Sequence, residues 1–223
     1  MDQGPHLERQ VFITFEGIEG CGKTTQVRRL VANLHEAGID AVLTLEPGGT
    51  TLGAEIRSIL LDARNEHLPP LAELLLYEAD RCIHVTSVIT PALTAGKWVV
   101  CDRFFDATTV YQGYARGLDM GLVRSLNHEA AHHLIPDMTI LIDCPVEVGI
   151  GRAIKRNLSH GDPGLDRFER EQIEFHRRVK DGYLRMAEKE AERFVVMDGR
   201  STEDELATLI FETVRPFIPG GAD

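Results

Sequence analysis

No two cysteines of this 223-residue chain lie close enough in sequence to form a zinc or dithiol pair; Cys21, Cys82, Cys101 and Cys144 stand far apart. That spacing speaks against a thiolate metal knot or a disulfide scaffold, and it suits reduced thiols in a reducing compartment. Long apolar runs are lacking as well, and Met1–Gln10 offers no cationic stretch leading into one. The expectation is a soluble, cytoplasmic protein that does not enter a membrane. Positive charge is scarce: 24 Lys and Arg face 35 Asp and Glu, a formal net charge of −11. Broad DNA or RNA surfaces work by neutralising phosphates with Lys and Arg, so nucleic acid is not an expected partner. A small anionic ligand must instead meet a local cationic cluster. Internal repeats and low-complexity tracts are also missing.

With 43% hydrophobic residues, the chain is long enough to bury one substantial core, and a single domain over 1–223 is expected, with tails at 1–9 and 219–223. Apolar, β-branched runs occur at Val11–Phe15, Ala41–Leu45, Trp98–Cys101, Met138–Ile142 and Phe194–Met197, each followed by a polar or acidic residue. Helical patterning separates them, at Lys23–Ala37, Leu52–Leu61, Leu71–Ala95, Gly121–His133, Glu147–Arg156, Arg167–Ala191 and Thr202–Phe217. This alternation predicts an α/β fold: a five-stranded parallel sheet with helices on both faces. Gly38 is placed to end the first helix, and Ser201 or Thr202 before Glu205 to cap the last. Asn157–Leu165, rich in Gly, Ser and Asp and just after Arg152, Lys155 and Arg156, reads as a lid; the basic helix end and lid together span 152–166.

Gly17-Ile18-Glu19-Gly20-Cys21-Gly22-Lys23-Thr24 fits G-x-x-x-x-G-K-[ST] between an apolar strand and a helix, the setting that a phosphate-binding loop requires. Glycines there let successive backbone N–H groups turn inward on phosphate oxygens, and the helix beginning at Lys23 adds its positive end. Lys23 is then expected on the β- and γ-phosphates of ATP, the Thr24 hydroxyl on Mg²⁺, and Thr25 at the edge of the nucleotide site. A ligand-free glycine turn is the bland alternative. Asp102, ending an apolar strand, is a second candidate for orienting Mg²⁺, with helix capping as its rival reading.

Further motifs follow in order. Glu46-Pro47-Gly48-Gly49-Thr50 precedes Leu52-Gly53 and Arg57; then come Tyr77-Glu78-Ala79-Asp80-Arg81, Asp102-Arg103, Tyr111-Gln112-Gly113, Arg152 and Arg156, and Asp166-Arg167-Phe168-Glu169. Taken together, from Phe12 to about Glu169, they resemble the bacterial thymidylate kinase family, a group of P-loop nucleoside monophosphate kinases. The resemblance implies a P-loop NTPase fold with a short lid, ATP- and Mg²⁺-dependent phosphorylation of dTMP to its diphosphate for dTTP synthesis, and a homodimer. It assigns Arg57 to acceptor phosphate, Arg103 to phosphate contact and catalysis beside Lys23, Tyr77 to stacking on thymine, Arg81 and Gln112 to the base, and Tyr111 to the sugar. Glu46 and Glu19 join the substrate-binding set. Glu19 matches the subtype whose loop is acidic and whose catalytic arginines, here Arg152 and Arg156, come from the lid. Ala107, Leu45 and Tyr77 stand where the family usually has Ser, Arg and Phe.

Chemistry supports the same assignment. A monophosphate has a second pKa near ~6, so at neutral pH it is already a dianionic nucleophile and no strong general base is needed. Two polyanions brought together need cations, which Lys23, Arg57, Arg103, Arg152, Arg156 and Mg²⁺ supply. Rival readings are a deoxyribonucleoside kinase, with Glu46 as general base, another nucleoside monophosphate kinase, and a non-catalytic P-loop regulator. His128-Glu129-Ala130-Ala131-His132 also fits the zinc-protease pattern, with Glu147 as a conceivable third ligand, against the plainer reading of a solvated or packed helix. Each arginine or tyrosine taken singly has a dull reading as surface charge or core aromatic.

Overall fold

Phe12–Glu16 is buried along its whole length and forms β1, the central strand of five. The computed structural model describes residues 10–159 and 167–219. Most of the expected lid and nearly all of both expected tails, 1–9 and 220–223, lie outside the described residues.

The remaining strands are β2 (Ala41–Leu45), β3 (Trp98–Asp102), β4 (Met138–Asp143) and β5 (Phe194–Asp198), and the all-parallel order is β2-β3-β1-β4-β5. Burial follows position: β1, β3 and β4 are apolar almost throughout, whereas the edge strands β2 and β5 alternate. Ile13 and Phe15 turn into the larger apolar cluster with Val27, Leu30 and Leu34, while Phe12 faces a smaller one with Val85, Ile89 and Phe104. Fully burying side chains of this size contributes about 1.5–3 kcal/mol each.

Nine α-helical segments are found among the described residues: α1 (Lys23–Glu36), α2 (Thr51–Leu61), α3 (Pro70–His84), α4 (Thr90–Thr94), α5 (Phe105–Thr108), α6 (Met120–Ala130), α7 (Val146–Ser159), α8 (Ile173–Lys189) and α9 (Glu203–Val214). Thr202 caps α9 in a reciprocal box with Glu205, as its sequence suggests.

Three helical expectations need correction. The helix expected over Leu71–Ala95 passes from α3 through a π-helical turn at Val85–Ile89 into α4, where Pro91 has no N–H to continue the ladder. Residues 105–115, given no element by the sequence, form α5 and a second π segment at Thr109–Ala115. Thr108, Thr109, Val110 and Gly113 weaken helix propensity there, and burial overrides it. Finally, α8 begins at Ile173 rather than Arg167, because Arg167 and Glu169 are buried and held by side-chain and backbone partners from elsewhere in the fold.

The carboxyl ends of β1, β3 and β4 converge at the point where successive crossovers leave for opposite sides of the sheet, the place where open parallel sheets hold ligands.

Candidate active site

Beyond β1 the chain turns tightly back under itself before α1. Gly20 has φ +68, and a Cβ there would stand 2.0 Å from the Gly149 carbonyl oxygen of α7. At Gly17, φ +139, a Cβ would meet the Ile142 carbonyl oxygen at 2.6 Å. Only glycine fits either place, so the loop is pressed against β4 and α7 and its amides are left to face the cleft. Lys23 Nζ donates to the Gly17 and Ile18 carbonyls, both at 2.8 Å, with a longer contact of 3.5 Å to Cys21 Sγ.

Thr24 Oγ1 donates to Asp102 Oδ2 at 2.5 Å, bringing together the two residues expected at the metal. Arg103, next in the chain, has a left-handed backbone, φ 72, uncommon for a side chain of this size and a form of strain that clusters at functional sites. Its guanidinium reaches Tyr183 Oη (3.1 Å), Glu19 Oε1 (3.1 Å) and Tyr111 Oη (3.2 Å), and stands 4.0 Å from Glu16 Oε2.

Glu19 is the acidic centre of the loop. Tyr111 Oη donates to its Oε1 at 2.5 Å, and His176 Nδ1 stands 3.4 Å from its Oε2. Burial alone would raise its pKa; His176, Arg103, Lys23 and Tyr111 together outweigh burial and hold the carboxyl well below the usual range. Glu19 is therefore an anion at any physiological pH. Below it, Glu16 is fully buried and accepts from Tyr183 Oη (2.6 Å) and the Phe104 amide (2.8 Å). Burial pushes its carboxyl up to about 7, with Arg103 opposing.

On the other flank, Arg57 Nη1 donates to the Pro47 carbonyl at 2.8 Å, and Asp80 accepts from the Gly48 amide, tying the Gly48–Gly49 turn to α3. Arg81, 1% exposed, donates to Glu46, Glu78, Asn127 and Thr108. Four of its five N–H groups are thus occupied, and one is left for a ligand. Glu46 has Arg81 on one oxygen and His84 on the other, each at 2.9 Å. Tyr77 lies 6.4 Å from the Phe168 ring, and burial raises its phenol above the ordinary value, so it stays neutral. Arg152 donates to the Gly199 carbonyl and Arg156 to Glu169, both beside the loop.

A single cavity of about 1090 Å³ joins these groups: the loop, Asp102, Arg103, Glu46, Arg57, Tyr77, Arg81, Tyr111, Gln112, Arg152 and Arg156 all line it. That volume is at the upper end of the ~300–1,000 Å³ usual for small-molecule sites. A family model described as thymidylate kinase matches residues 15–210. The chain belongs to the thymidylate kinase family. Relatives agree along nearly the whole length: the thymidylate kinase of Trichlorobacter lovleyi is 50% identical over 204 residues, 92% of this chain and 96% of that one. That of Desulfosudis oleivorans is 54% identical over 198 residues, covering 88% and 92% respectively. Among solved structures, the thymidylate kinase of Ehrlichia chaffeensis superposes with a TM-score of 0.73 at 35% identity, over 92% of this chain and 98% of that one. The fold is accordingly that of P-loop NTPases, and the chain is a kinase of the nucleoside monophosphate class.

Family motifs account for only part of the site. Glu16, His176, Tyr183, and also Glu73, which accepts from Gln112, and Arg116, which donates to Glu73, escaped the sequence reading, because no phosphate-binding pattern includes them. One signal was available: His176 and Tyr183, seven residues apart, share a face of the predicted helix and both are buried. The zinc-protease match dissolves in three dimensions. α6 ends at Ala130, His132 and His133 have φ 49 and 63, and the two histidines of the match no longer share a helix face. His132 Nε2 instead lies 3.1 Å from Thr86 Oγ1, and among the described residues no three His, Cys, Asp or Glu side chains gather as a metal group. No helix among the described residues is long and apolar enough to cross a membrane.

Proposed function

We propose that this chain transfers the γ-phosphoryl group of ATP to thymidine 5'-monophosphate. The observation that carries the reading is the continuity of one cavity from the glycine loop to Arg57, Tyr77, Arg81 and Gln112. Donor polyphosphate lies on the loop amides and Lys23, with its nucleoside toward Arg200–Glu203, which line the same cavity. The acceptor's phosphate lies between Arg57 and Arg103, its sugar against Tyr111 and Glu19, and its base against Tyr77, Arg81 and Gln112.

No residue must remove a proton from a dianionic phosphate. Glu46, the general base of the nucleoside-kinase alternative, has both oxygens tied to Arg81 and His84, which favours an acceptor that arrives already charged. The chain's work is positioning and charge: Lys23, Arg103, Arg152 and Arg156 surround the transferring group and lower the cost of its equatorial charge. Thr24 and Asp102 offer hard oxygen ligands within 2.5 Å of each other, a set that suits Mg²⁺, which needs few protein ligands when phosphates supply the rest. When bound, that ion neutralises the β- and γ-phosphate oxygens. A coupled assay with ATP and Mg²⁺ over a panel of nucleosides and monophosphates tests the reading: dTMP is expected as the best acceptor, and turnover of thymidine in its place would overturn it.

Arg57→Ala is expected to raise KM for dTMP by roughly tenfold to a hundredfold, the loss of one charge-assisted phosphate contact, with KM for ATP little changed. Initial-rate kinetics with each substrate varied in turn decide this; parallel losses for both ligands would contradict the placement.

The homodimer has support in three neighbouring helices. α3 packs beside α2 and α6, and these expose Leu52, Ile59, Leu71, Leu75 and Leu122. A second copy covering them takes these exposed apolar side chains out of water, and a two-fold pair buries the same face on both chains. Sedimentation is expected to give twice the 24.8 kDa chain mass, and Leu75→Lys to shift it toward one. A wild-type monomer at micromolar concentration would dismiss the dimer. A cytoplasmic location accords with four free cysteines, three of them buried.

A further inference from the structure

Gln112 sits 1% exposed on the π segment after α5, and its side-chain amide has two ends that differ in what they offer a base. Its Nε2 donates to Glu73 Oε1 at 2.6 Å. Its Oε1 has no protein partner among the described residues, and Gln112 lines the cleft. Glu73 belongs to α3, is fully buried, and receives only donors: Arg116 reaches Oε1 (3.3 Å) and Oε2 (3.4 Å), and Arg167 pairs with Oε2.

We propose that Glu73 is a specificity-determining positioning residue: it locks the Gln112 amide so that a carbonyl oxygen, and not an N–H, faces the acceptor's base. This rests on the reading that the base lies between Tyr77, Arg81 and Gln112. A carboxylate has acceptors only, so a flipped amide would set two acceptor oxygens 2.6 Å apart. With the flip forbidden, the cleft presents an acceptor at Gln112 and the remaining donor of Arg81. Thymine answers with an N3–H donor and an O4 acceptor. Cytosine carries the reverse, an unprotonated N3 and an amino group, and meets like against like at both positions. Glutamine by itself accommodates either base by turning over; at this position the discrimination comes from the buried anion behind it.

Arg116 and Arg167 complete the lock, since together they keep Glu73 supplied with donors on both oxygens. Arg167 also donates to the Leu60 carbonyl, so the loop after the expected lid, α2 and α3 meet at this carboxylate. A base-reading group is thereby braced by three side chains, Glu73, Arg116 and Arg167, to which the reading gives no contact with the base.

The test compares wild type, Glu73→Gln and Glu73→Asp in kcat/KM for dTMP and for deoxycytidine monophosphate, with thermal melts to establish folding. In folded Glu73→Gln, whose amide accepts either orientation of Gln112, the dTMP-to-dCMP ratio is expected to narrow by about tenfold or more, while KM for ATP is unchanged. A role confined to stability lowers both acceptors alike, and an unchanged ratio overturns the proposal. If Glu73→Gln melts out, Glu73→Asp decides: it keeps the charge for Arg116 and Arg167 but withdraws the acceptor from Gln112. A narrowed ratio there supports the lock, and wild-type discrimination overturns it. A wild-type enzyme that does not phosphorylate dTMP sinks the functional reading itself, whereas an active wild type with an unaltered ratio in a folded variant sinks only this inference.

Discussion

Lys23→Ala is expected to lower kcat by about 10²–10³-fold or more, the scale seen when one preorganised donor to a transition-state charge is removed. The residue is 7% exposed, and its ammonium sits inside the loop, anchored by two carbonyls at 2.8 Å. Those carbonyls set its position before any phosphate arrives, so no reorganisation is required of it during the reaction. Its weakest contact, to Cys21 Sγ at 3.5 Å, is the one a phosphate oxygen can replace. Because the side chain packs against loop backbone and not against the apolar core, the melting temperature should move little. Stopped-time product analysis beside a thermal melt checks both halves. Near-wild-type turnover would remove Lys23 from the mechanism.

Arg103 should give the second large effect, and on stability as well as rate. One guanidinium lies among Glu16, Glu19, Tyr111 and Tyr183, and burial, which works against its charge, is outweighed by these neighbours. Arg103→Gln leaves Glu19 without its nearest guanidinium, and breaking a buried pair from one side costs about 3–5 kcal/mol. The acceptor phosphate loses a cation at the same time, so kcat/KM for dTMP should fall by roughly 10²–10³-fold. Arg103→Lys separates the two effects: it restores charge and much of the stability, but a point charge cannot span three oxygens as a planar fork does, so the rate stays low. Calorimetry and steady-state kinetics on both variants provide the check. Full activity in Arg103→Lys would mean that charge alone matters there.

These two residues differ in how they became legible. Lys23 lies in a contiguous eight-residue pattern whose spacing is dictated by the reach of backbone amides around a phosphate, and local patterns survive in sequence. Arg103 was reached through family resemblance, and nothing local discloses that Glu16 and Tyr183 stand around it; those come from β1 and from α8, some 80 to 90 residues away in sequence. The same division runs through the fold. Five strands and most helices follow from apolar periodicity, while residues 105–115 read as structureless because their β-branched residues and glycine oppose the helix that burial imposes. The histidine pair of the zinc-protease match shows the converse error, a helical pattern carried two residues past the end of the helix that bears it.

The phosphate loop, the parallel sheet and the family resemblance are legible in the residues alone, because each is written in short-range spacing or in an ordered run of motifs. Which side chains are free to act emerges with the folded chain: Glu46 is occupied, Arg81 has one donor to spare, and Glu73 stands behind Gln112. The reason is physical. Hydrogen-bond capacity is finite and is used up by partners distant in the chain, so a residue's type fixes what it can offer, and its buried neighbours fix what is left.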